Sequence, residues 1–252
     1  ADTKEYTLSE KSDSGVSGTV TFTKNDDGST TVAFELEGTE DGNTHPAHIH
    51  FGNAADGGEI AISLEAVDGE TGMSTTEITE LEDGTEVTYE ELIEFDGYIN
   101  VHLSADELET IVAQTDIGEN ELTGESESYD LAEADIEGVS GTATFEEREN
   151  GETLVTIMLE GTEEGNTHPA HIHAGSVEDA PGAIIITFNP VNGSTGLSVT
   201  NIAVTDDTEE EGEASTYEDL IDFDGYINVH ESEDNLETLA AQGNIGVNAT
   251  ED

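Results

Sequence analysis

Apolar and polar residues alternate with a period of two along most of the chain. Val20-Thr21-Phe22-Thr23 alternates, Asn25-Asp26-Asp27-Gly28 interrupts it, and Thr31-Val32-Ala33-Phe34-Glu35-Leu36 resumes it. Successive side chains of a strand point to opposite faces, so such runs predict strands with one buried face. Asp-Gly between two of them predicts a hairpin. Ala143-Thr144-Phe145 and Leu154-Val155-Thr156-Ile157, with Asn150-Gly151 between, predict another hairpin of the same kind. Further strands are expected at Ala47–Phe51, Glu59–Val67, Met73–Ile78 and Tyr98–Leu103. Short strands at this spacing point to an all-β fold, an antiparallel sandwich or barrel. Short helices are expected to interrupt them. Thr88-x-x-Glu91 reads as a capping box before Leu92-Ile93, and Ser104-x-x-Glu107 as another before Leu108, Ile111 and Val112. Related segments follow at Thr216–Ile221 and Ser232–Ala240.

The pattern occurs twice. Gly15-Val16-Ser17-Gly18-Thr19 returns as Gly138-Val139-Ser140-Gly141-Thr142. Glu37 to His50 (EGTEDGNTHPAHIH) returns at Glu160 to His173 with one change, and Phe95 to His102 (FDGYINVH) returns unchanged at Phe223 to His230. The three blocks keep their order, which marks a tandem duplication. Two domains are expected, residues 1–122 and 123–252, with a flexible, acidic seam near Gly118 to Ser126. Tyr6-Thr7-Leu8 and Tyr129-Asp130-Leu131 open the two copies alike. Either they complete their own sheets or they offer edge strands to other subunits, a route to a homo-oligomer or filament.

Charge narrows the setting. Asp and Glu number 61 against 4 Lys and Arg, a formal charge of -57. Nucleic acid is excluded as a natural partner, because phosphates would be repelled. The acids are interleaved with regular apolar alternation, so the chain is read as folded and adapted to strong salt, where a Debye length of about 3 Å screens repulsion between carboxylates. No D-x-D-x-D-G loop suggests calcium. The chain has no cysteine, hence neither disulfides nor thiolate metal ligands. No apolar run is long enough to span a membrane. A first residue Ala1, and the acceptor patterns Asn192-Gly193-Ser194 and Asn248-Ala249-Thr250, fit an exported chain at the cell surface or outside the cell.

The chemistry rests on histidine. All eight fall into two matching sets, His45, His48, His50 and His102, and His168, His171, His173 and His230. His48 and His50 share one face of an expected strand, at a spacing that lets two imidazoles meet one ion, with Ile49 turned into the core. His45 is expected in the approach loop, held extended by Pro46, and His102 on a neighbouring strand facing the same ion. The alternative is a set of ordinary surface or core histidines. Against it, the histidine blocks persist while surrounding segments such as Glu59–Leu64 and Ala183–Thr187 have drifted apart. The expected metal is copper, with zinc as the alternative, one ion per domain. Met73 and Met158 do not correspond, so no shared thioether ligand is expected. Asp96 and Asn100, with Asp224 and Asn228, are candidates to orient the rings, though Asp96-Gly97 also reads as a plain turn.

The blocks His-Pro-Ala-His-Ile-His and Gly-Tyr-Ile-Asn-Val-His resemble the CHRD domain, over about residues 5–118 and 128–246. The resemblance implies two immunoglobulin-like or superoxide-dismutase-like β-sandwiches. It implies His48, His50 and His102, and His171, His173 and His230, as ligands. His45 and His168 match the family's leading histidine. The family's closing Gly-Glu-Ile-Arg-Gly-type strand has its nearest equivalents at Gln114 to Gly118 and Gln242 to Gly246. Arg148 is the only arginine and falls in an expected hairpin, so nothing would steer superoxide into a dismutase site. The functional expectation is a secreted, non-enzymatic copper-binding protein with a storage, surface or assembly role. A copper redox enzyme, or a structural filament subunit stiffened by metal, is the alternative.

Overall fold

The computed structural model describes residues 2–206 and 212–249. The chain divides into two compact units, Ala1–Glu121 and Leu122–Asp252. In the first unit the elements are β1 (Thr3–Glu10), β2 (Ser17–Lys24), β3 (Thr30–Glu37), β4 (Thr44–Phe51), β5 (Ile60–Asp68), β6 (Met73–Ile78), α1 (Tyr89–Ile93), β7 (Asp96–Ser104) and β8 (Glu107–Gly118). The strands form one antiparallel sheet in the order β5-β4-β7-β8-β1-β2-β3-β6. The sheet curls until its two ends approach, and the amide of Glu65 on β5 donates to Thr76 Oγ1 on β6 at 2.8 Å. Inward residues of alternating runs fill the space between the faces: Val20 and Phe22, Val32 and Phe34, Ile49, Ile99, Val101 and Ile117, with Leu92 of α1.

The second unit repeats this. Its elements are β9 (Leu122–Glu133), β10 (Ser140–Arg148), β11 (Thr153–Glu160), β12 (Thr167–His168), β13 (Ala170–Ala174), β14 (Ile184–Thr187), β15 (Val191–Asn192), β16 (Leu197–Ile202), α2 (Tyr217–Ile221), β17 (Asp224–Ser232) and β18 (Asn235–Gly246), with one 3-10 turn at Val177–Asp179. Here Pro169 separates β12 from β13. In β4 the equivalent Pro46 sits in a bulge, where His45 pairs Val67 and Ala47 pairs Leu64, so its missing N–H costs the ladder nothing.

Both units are all-β, as the alternation predicts, and Met73–Ile78 is a strand with the expected bounds. The helices at Thr88 and Thr216 form with full capping boxes. The helices expected after Ser104 and over Ser232–Ala240 do not form. Ser104 instead pairs with Glu107 across a two-residue turn, and Ser232 pairs with Asn235. Leu108, Ile111 and Val112 carry helical spacing, but β7 offers a full ladder of partners and the tertiary pairing wins. Residues 122–126 are not a flexible seam. They start β9, with Ser126 opposite Glu146 and Leu122 opposite Arg148. Tyr6 and Leu8 are not edge positions either, since β1 pairs with β2 on one side and β8 on the other, as β9 does with β10 and β18.

Candidate metal centre

Strand β4 buries His45, Ala47 and Ile49 on its core side and turns His48 and His50 to the opposite face. Register carries β7 alongside, with His48 opposite Asn100 and His50 opposite Tyr98. A bulge at His102, between its pairing with Ile111 and that of Val101 with Ala113, brings the third ring to the same place. One ring nitrogen each from His48, His50 and His102 lie within 4.8 Å of one another, and those of His171, His173 and His230 do likewise.

Hydrogen bonds fix the state of each ring. His102 Nδ1 stands 2.6 Å from Leu108 O, and His50 Nδ1 stands 2.9 Å from Gly58 O. A carbonyl only accepts, so both Nδ1 atoms carry a proton, and in the neutral ring Nε2 is the nitrogen that presents a lone pair. The second unit matches, with His230 Nδ1 2.7 Å from Leu236 O and His173 Nδ1 2.9 Å from Gly182 O. His50 Nε2 and His173 Nε2 are buried with no hydrogen-bond partner, and so are the Nε2 atoms of His45 and His168 outside the clusters. His48 Nδ1 lies 3.0 Å from His102 Nε2, and His171 Nδ1 lies 3.1 Å from His230 Nε2. Two nitrogens bound to one ion at about 2.0–2.1 Å stand about 3 Å apart when the angle at the ion is somewhat above a right angle. The ring spacing therefore fits a divalent ion, which would also give the Nε2 atoms of His50 and His173 a partner.

Burial holds His48 and His102 below the usual imidazole range. For His48 the neighbouring rings of His102 and His50 push the same way. For His102 the bond to Leu108 opposes the shift. His171 and His230 behave alike. Neutral imidazole is the metal-binding form.

The supporting groups are ones the sequence did not single out. Tyr98 stacks on His50 with ring centroids 4.8 Å apart, and Tyr226 stacks on His173 at 5.1 Å. The tyrosine hydroxyls accept from the amides of Gly58 at 3.0 Å and Gly182 at 2.9 Å. Only glycine fits there, because an added Cβ would lie 1.8 Å from Phe51 O or from Ala174 O. Asp96 and Asn100 do not orient the rings. Asp96 accepts from Asn120 at 2.8 Å and Asn100 from Gln114 at 2.7 Å. Asp224 likewise accepts from Asn248, whose Thr250 lies outside the described residues. Asn228 sits opposite His171 in the ladder, and no contact ties its amide to a ring nitrogen. His45 and His168 stand apart from both clusters. They lie on the core side of the strand, with Nδ1 donating to His102 O at 3.1 Å and to His230 O at 3.0 Å.

An all-β duplication with a three-histidine cluster in each half defines the class. The CHRD domain family matches residues 3–107 and 119–239, and both matches enclose all four histidines of their unit. The chain belongs to the CHRD domain family, as two tandem copies. No curated protein and no solved structure matches it.

Proposed function

We propose that each unit holds one divalent metal ion, copper ahead of zinc, on His48, His50 and His102 and on His171, His173 and His230. On this reading the protein is a non-enzymatic metal-binding module that works in strong salt at or beyond the cell surface. The observation that carries it is the convergence of three ring nitrogens within 4.8 Å of one another in each unit, from His48, His50 and His102 and from His171, His173 and His230. Copper ranks first because all-imidazole sites take Cu(II) more tightly than Zn(II). The charge of -57 favours concentrated salt and repels superoxide. CHRD domains occur generally in extracellular proteins, which supports the location. Three protein ligands leave a coordination position open, the feature that favours a copper redox enzyme as the second reading.

The test is elemental analysis of the full chain after dialysis against Cu(II) or Zn(II) in molar salt, with electron paramagnetic resonance of the copper form. Two equivalents per chain are expected, one for His102→Ala and none for His102→Ala with His230→Ala, with nitrogen hyperfine coupling that carboxylate-bound copper would lack. Unchanged stoichiometry in the double variant, or a spectrum without nitrogen coupling, overturns the reading. Turnover of peroxide that His102→Ala and His230→Ala abolish would establish the enzyme instead.

A further inference from the structure

We propose that Glu82 and Asp206 are the carboxylate partners of the first histidine in each cluster, receiving the Nε2–H of His48 and of His171 once metal is bound. This rests on the metal-binding reading above.

The need for such a partner follows from the rings. Without metal, His102 Nε2 is an acceptor, so the proton in the 3.0 Å contact belongs to His48 Nδ1. An ion shared by both nitrogens takes both lone pairs. The His48 proton then has to sit on Nε2, a tautomer change with no net proton gained or lost. Metal-bound histidines generally donate their other N–H to an acceptor. His50 and His102 already have carbonyls for this, whereas His48 has none.

Register supplies one. Ser63 of β5 lies directly opposite His48, and the Ser63 amide donates to Glu82 Oε1 at 2.8 Å. Glu82 is pinned in turn, its own amide donating to Ala61 O at 2.9 Å. In the second unit Thr187 lies opposite His171, and Thr187 Oγ1 donates to Asp206 Oδ2 at 2.6 Å. The Asp206 amide donates to Ile185 O at 2.7 Å. The segments around the two acids differ in sequence and the second loop is longer, yet both place a carboxylate on the residue facing the first histidine. Each also acts electrostatically on that ring, Glu82 on His48 and Asp206 on His171.

The experiment uses the full chain carrying His230→Ala, so that only the first site is read, with Cu(II) and Zn(II) affinities measured by chelator competition in molar salt. Glu82→Gln is expected to weaken binding by about 10–100-fold. Glu82→Asp, which installs the second unit's residue, should keep most of the affinity. Glu80→Gln removes an equal charge from the same loop and should leave affinity near the parent's. In the Zn(II) form, nitrogen NMR should report His48 bound through Nδ1 with Nε2–H protected from exchange, and that protection should fall in Glu82→Gln. Unchanged affinity in Glu82→Gln, equal losses in Glu82→Gln and Glu80→Gln, or binding of His48 through Nε2 overturns the assignment while leaving the metal site standing. A parent chain that binds no metal overturns both.

Discussion

The ring of His45 donates its Nδ1 proton to the backbone carbonyl of His102, and His168 does the same for His230. The leading histidine thus braces the backbone of the last one through the core, from the face of the strand opposite the cluster. His45→Ala is expected to leave that carbonyl unsatisfied at a cost of about 1–3 kcal/mol. His48→Ala, at a half-buried ring, should cost less stability while removing a ligand. Urea unfolding of both variants without metal checks the order. A larger loss for His48→Ala would contradict the bracing role.

Alkaline pH should loosen the first unit through Tyr6. Burial pushes its hydroxyl up to about 12, and that hydroxyl accepts from the Gly118 amide at 3.1 Å. The folded state holds this proton more tightly than the unfolded state, whose tyrosine ionises near 10. Its contribution is therefore complete below about 10 and is lost as pH climbs toward about 12, on the order of 2–3 kcal/mol in all. Tyrosinate absorbance followed alongside circular dichroism should show the two changes together, and Tyr6→Phe should flatten the pH dependence.

Arg148 is fully buried at the end of β10. Its Nε donates to Asn201 Oδ1 at 2.7 Å, and Asn201 Nδ2 donates to Glu152 Oε2 at 2.8 Å. The equivalent positions of the first unit are Asn25, Glu77 and Ser29. There Asn25 Nδ2 donates to Ser29 Oγ at 2.9 Å and Ser29 Oγ donates to Glu77 Oε1 at 2.8 Å. Losing the guanidinium removes the donor to the Asn201 amide oxygen and leaves behind Glu152, which is only half-buried, so Arg148→Asn alone should cost about 1–3 kcal/mol. Adding Glu152→Ser and Asn201→Glu, which transplants the first unit's trio, should restore much of it. A triple variant no better than the single one would show that the three positions are not coupled.

Salt should stabilise the protein steeply. Lys4 pairs with Glu121 at 2.5 Å and Lys24 with Glu90, which leaves most of the 61 acids without a basic partner to offset their repulsion. Thermal midpoints recorded from millimolar to molar sodium chloride should rise continuously as screening shortens the reach of each charge. A midpoint independent of salt would refute adaptation to brine.

Much of this molecule is legible in its sequence. Alternation at Val20–Thr23 and Thr31–Leu36 suffices for a hairpin because both partners are near in the chain, and His48-x-His50 suffices for a shared face because strand parity is local. Long-range pairing is where local signals mislead. Ser104-x-x-Glu107 and Thr88-x-x-Glu91 carry the same kind of capping pattern, and only the ladder with β7 separates a hairpin turn from a helix. His45 looks like a loop residue because Pro46 follows it, whereas a bulge absorbs the proline and parity turns the ring inward. Glu82 and Asp206 differ in type and lie in dissimilar segments, so only the fold reveals that they correspond.

The neighbouring of first and last strands sets an order on synthesis. Ser9 meets Gln114, and the Tyr6 hydroxyl meets Gly118, so β1 gains its second partner only when nearly all of its own half has left the ribosome. Until then Tyr6 and Leu8 wait half-covered, and the second half starts emerging just as the first becomes able to close.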